Sequence, residues 1–73
     1  MTSRVYVATV AVGDDRNDPG IEIVGVFTTE QAAWDAAAAL GPYTAAVECY
    51  ELDAHPWKGE PVRWMEDGQE RRP

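Results

Sequence analysis

The apolar pattern of this 73-residue chain accommodates one helix and at least three strands, and one helix can cover only one face of a sheet. Arg4 to Val12 (RVYVATVAV) is β-branched and apolar on both alternating faces. Val5, Val7 and Ala11 share one side; Tyr6, Ala8, Val10 and Val12 share the other. Such a strand is central in its sheet or has its second face covered. Gly13 to Gly20 (GDDRNDPG) is a dense turn signal, long for a hairpin loop and expected to project. Ile21 to Phe27 (IEIVGVF) reads as the second strand, with Ile21, Ile23 and Phe27 on the face of Gly25. A glycine inside a strand marks a bulge or a close approach, and the following helix is the expected neighbour.

Thr28-Thr29-Glu30-Gln31 opens that helix, with Thr28 as N-cap and Gln31 completing a capping box. Glu30 falls in the first turn, where the helix dipole favours an anion. Ala33, Ala36, Ala37 and Leu40 define the expected buried face, Trp34 lies on its flank, and Gly41-Pro42 ends the helix. Thr44 to Asp53 is the third strand, and its apolar set changes parity from Val47 and Cys49 to Tyr50 and Leu52. Either both faces are partly covered or a bulge re-aims the strand. Val62 and Trp64 alternate as in a short edge strand, limited by Pro56 and Pro61. The expected fold is α+β: a small antiparallel three- or four-stranded sheet with one helix packed on one face, in the order β-β-α-β. Residues 1–66 form a single domain, and 67–73 (DGQERRP) read as a disordered tail. The second face, with candidates Tyr6, Val10, Val24, Val26, Tyr50 and Leu52, must be covered by the Trp57–Trp64 segment, a second copy or a partner.

Charge excludes some partners. The net charge is −7, and nine acids against Arg16 lie between Asp14 and Asp53. Backbone-phosphate binding needs a basic stripe, and none is present. No run reaches the roughly 20 apolar residues of a membrane span. Direct nucleic-acid and membrane partners are therefore not expected, and the lone Cys49 thiol fits a reducing cytoplasm.

Chemistry-bearing groups are sparse. Asp14, Asp15, Asn17 and Asp18 do not follow the spacing of an EF-hand and read as a solvated turn. Glu48, Glu51 and Asp53 have no nucleophile–base pair beside them. Neither Cys49 nor His55 has the companions of a zinc set, so no catalytic residue, metal or cofactor is expected. Trp57, Arg63, Trp64, Tyr6, Tyr50 and Trp34 are the candidate partner-binding residues, since Trp, Tyr and Arg dominate interface hot spots. Lys58, Arg63 and Trp64 form a basic-aromatic neighbourhood suited to an acidic strip on a partner.

Val5-Tyr6-Val7, then Gly25-Val26-Phe27-Thr28-Thr29-Glu30-Gln31-Ala32, then Tyr50-Glu51-Leu52-Asp53 resemble a group of short uncharacterised proteins encoded by phages and bacteria. The likeness covers roughly residues 4–57, and its motifs are structural: strand, cap, helix, strand. The Ala-rich helix and the loop Asp14–Asp18 depart from that group. The resemblance implies a phage-encoded modulator or inhibitor of a host protein, acting in the host cytoplasm. The functional expectation is a non-catalytic acidic protein-binding module that engages a protein partner, forms a homodimer, or both. Two alternatives stand beside it: an acidic mimic occupying a nucleic-acid-binding groove, and a structural or self-assembling component.

Overall fold

The computed structural model describes residues 3–12, 20–53 and 59–73. Among them lie β1 (Arg4–Val12), β2 (Gly20–Phe27), α1 (Glu30–Leu40), β3 (Ala46–Glu51), β4 (Glu60–Glu66) and β5 (Gln69–Arg71). The strands form one antiparallel sheet in the order β2-β1-β3-β4-β5. The helix crosses from β2, at one edge, over β1 to β3, and packs on all three. The architecture is the expected α+β, with five strands in place of three or four. β1 is interior, which suits a strand apolar on both faces.

Two bulges decide which side chains face the helix. Ala8 pairs with Gly25 but Thr9 pairs with Ile23, so Val24 is an extra residue in β2. Val47 pairs with Arg63 but Glu48 pairs with Pro61, so Val62 is an extra residue in β4. Both extra valines pack against the helix-side core. Directly paired residues share a face. Tyr6, Phe27 and Cys49 therefore lie on the helix side, as do Ala8, Gly25 and Val47. Ile21 and Ile23 pair with Ala11 and Thr9 and lie on the opposite, open side. The bulge thus corrects the sequence reading, which placed Ile21 and Ile23 with Phe27. The close approach at Gly25 also has another source: a Cβ there would lie 3.0 Å from the Phe27 ring. β3 stays in register with β1 throughout, so its change of apolar parity reflects two useful faces and the bulge sits in β4.

The helix is rotated from its expected setting. Ala33, Trp34 and Ala37 are buried and Ala38 packs at their margin, whereas Leu40 is 67% exposed. An indole removes more apolar area from water than an isobutyl group, so the stripe turns toward Trp34. The cap is Thr29 rather than Thr28: its hydroxyl accepts from Ala32 N at 3.2 Å. Gln31 is then too early to close a capping box and instead donates to Asp35 at 2.8 Å. Gly41 ends the helix, its N–H donating to Ala37 O, and a side chain there would collide with Val10 and Thr44. The Thr44 hydroxyl in turn accepts from Ala11 N, tying the helix exit to β1.

Residues 67–73, expected as a disordered tail, instead supply β5. Asp67 (φ 51) and Gly68 (φ 76) occupy the left-handed region in the turn joining Glu66 to Gln69. Asp-Gly is favoured where a two-residue hairpin turn needs positive φ at both positions. Arg72 then reaches Glu30 at the start of α1, at 3.1 Å.

The buried core among the described residues is Ala8, Val10, Ala33, Trp34, Ala37, Ala45 and Val47. Four of these seven are alanine, so Trp34 supplies much of the buried apolar area. Trp34→Ala should cost about 3–5 kcal/mol in urea unfolding. Leu40→Ala, on the exposed flank, should shift the midpoint little, and equal losses for the two variants would refute this placement of the helix.

Candidate functional site

The face of the sheet opposite the helix is the candidate site. On β2 it exposes Ile21 (76%), Ile23 (65%) and Val26 (60%). The ladders continue it through Val5, Val7 and Thr9 of β1 to Tyr50 and Ala46 of β3, and on to Trp64 of β4. Leu52, whose N–H donates to Ser3 O, is half exposed beyond the end of β3. This surface is continuous across four strands, and among the described residues no helix lies over it.

Its polar groups sit toward the β3–β4 end. The Tyr50 hydroxyl donates to Glu48 Oε2 at 3.0 Å. The Tyr50 ring occupies the space that a side chain at Gly59 would need, so glycine lets the start of β4 pass beneath it. Desolvation pushes the Tyr50 phenol above its ordinary pKa, and the hydrogen bond to Glu48 and the Glu48 charge push the same way. Trp64 Nε1 donates to Glu66 Oε2 at 3.2 Å, which fixes the indole on this face with its polar edge satisfied.

The structure divides the six candidates. Tyr50 and Trp64 lie on the open face. Tyr6 packs against the helix-side core and Trp34 is buried within it, 8% exposed. Arg63 faces the helix as well. Its guanidinium carbon stands 4.5 Å from the centre of the Trp34 ring. Nη1 donates to Gln31 at 3.2 Å and Nη2 to Glu70 at 2.6 Å. Arg63 and Trp64 are thus on opposite sides of β4, and no basic-aromatic patch forms from them. Trp57, with Lys58, His55 and the Asp14–Asp18 loop, lies outside the described residues. Val10 and Val24, also expected on the uncovered face, belong to the helix side. The sequence reading missed Ile21 and Ile23 as members of the open face. Gly25 was the available signal, since a bulge beside it inverts the facing of everything before it.

Among the described residues no cluster of His, Cys, Asp and Glu could hold a metal ion. Cys49 is half-buried, between Tyr6 and Glu60. The described acids are dispersed: Glu30 pairs with Arg72, Glu51 with Arg4 and Glu70 with Arg63. Among the described residues no helix is long and apolar enough to cross a membrane. No protein-family model matches the chain, and neither a curated protein nor a solved structure matches it.

The Tyr50–Glu48 contact has a pH signature. The folded-state pKa of Tyr50 is raised, so its stabilisation is complete below the unfolded value near 10.0 and is lost as pH rises through the folded value. The ultraviolet difference titration between wild type and Tyr50→Phe should show a phenol ionising above 10.0. Glu48→Gln should bring that ionisation lower. A transition at or below the ordinary value would contradict the contact.

Proposed function

We propose that this chain is a non-catalytic protein-binding module that docks a partner on its open sheet face. The carrying observation is the continuous apolar surface from Ile21 and Ile23 to Trp64, opposite the helix-covered side. Tyr50 and Trp64 are the anchors: each is a large ring with its polar atom already hydrogen-bonded, so docking buries apolar area without stranding a donor. The resemblance to short phage and bacterial proteins supports a host-directed modulator or inhibitor working in the host cytoplasm. The acidic-mimic alternative receives less support, because three of the described acids are paired with arginines.

The reading is tested by affinity capture from a bacterial host extract at increasing salt, followed by affinity measurement with the captured protein. Apolar docking predicts binding that holds as salt rises, because screening acts on charge and not on buried apolar area. Trp64→Ala should weaken binding by about tenfold or more, equivalent to ~1.4 kcal/mol. Binding that collapses with salt and ignores Trp64→Ala would overturn the proposal in favour of the acidic mimic.

A further inference from the structure

The two edges of the sheet are unequal. β5 is a three-residue edge, Gln69-Glu70-Arg71, exposed and rich in charge. Short charged edges resist pairing with another chain. β2 is an eight-residue edge, GIEIVGVF, whose one charge is Glu22 and which contains no proline or lysine. Its outer side has no paired strand among the described residues. A strand with that composition offers a row of backbone donors and acceptors to another strand.

We propose that β2 pairs antiparallel with β2 of a second copy about a twofold axis, giving a continuous ten-stranded sheet. The bulge selects the register. A twofold axis perpendicular to a sheet brings residues of the same facing opposite each other. In a regular strand, residues an odd number apart face opposite ways, so they could not be paired in this manner. The extra residue Val24 inverts the facing midway, so that Ile21 and Val26 lie on the same open side. A pairing centred between Ile23 and Val24 then sets Ile21 against Val26 of the second copy, and Val26 against its Ile21. The same register sets Gly20 against Phe27, and Glu22 against Gly25. Six of the eight residues of β2 pair with matched facing, Ile23 on the open side and Val24 on the helix side stay out of the ladder at the axis, and the only charge meets a glycine rather than its own copy. Centring on Glu22 would instead oppose two like charges, which destabilises a ladder. The self-matching of this edge is what assigns its occupant as a second copy rather than a foreign strand. The dimer carries two open faces side by side and does not require that anything dock on them.

Sedimentation equilibrium of the full chain should give a closed dimer of about twice 8.0 kDa. Ile21→Lys should yield a monomer whose circular dichroism and melting curve stay folded, since the site is 76% exposed. Ile21→Lys combined with Val26→Glu should restore the dimer, because the two new charges meet only across the axis. Val26→Glu alone should be monomeric. A wild type that stays monomeric at high micromolar concentration, or that captures only a foreign strand, would overturn the proposal. So would a dimer that survives Ile21→Lys, a larger assembly, or a double variant that stays monomeric.

Discussion

The Arg63 guanidinium, stacked on the Trp34 ring at 4.5 Å, joins two parts of the molecule that the backbone leaves apart. The helix lies over β1, β2 and β3, while β4 and β5 extend beyond it. Arg63 spans that step by touching Trp34 and Gln31 on the helix and Glu70 on β5. Arg72 repeats the connection with Glu30. Its side chain is more than half exposed, so solvent screens that pair. Arg63 is only 11% exposed, and its Nε is buried without an acceptor among the described residues. Stacking on an indole and hydrogen bonds from its two Nη atoms to Gln31 and Glu70 are what make that burial tolerable. Lysine has neither the plane nor the fork to replace it.

Sealing the helix side in this way fixes the character of the other side. Trp34 and Arg63, two of the residue types most suited to an interface, are used internally. The bulges bring Val24 and Val62 to the same core, which is otherwise short of volume because alanines line the helix. Small residues let α1 lie close to the sheet, at the expense of buried area. Among the apolar residues of the strands that this core leaves over, Ile21, Ile23, Val26, Tyr50 and Trp64 fall on the open face. Which residues face each side of the sheet thus follows from where two extra residues are inserted.

Much of the fold was legible in local patterns. β1, β2, α1 and β3 follow from alternation, helical spacing and the Gly41-Pro42 stop. The open face followed from the number of helices alone. Its membership did not, because alternation is a local count and one bulge at Val24 inverts the facing of the residues before it. The helix rotation was hidden for a related reason. Trp34 and Leu40 are both apolar, and only their competition for the helix-side core decides which is buried. The β5 hairpin was signalled by Asp67-Gly68, but its charged strand resembles a solvated tail until Arg63 and Glu70 are seen to pair. Arg63 itself looked like a surface anchor beside Trp64, since neighbours in sequence read as neighbours in space. In a strand they face opposite ways.

The most direct measurement of the central claim, that one face is sealed and the other open, is attenuation of side-chain NMR signals by a soluble paramagnetic agent. The methyls of Ile21, Ile23 and Val26 should be strongly attenuated, while Val10, Val47 and the Trp34 indole should be protected. Open-face methyls as well protected as Val47 would show that the chain covers this surface itself, and would contradict the account.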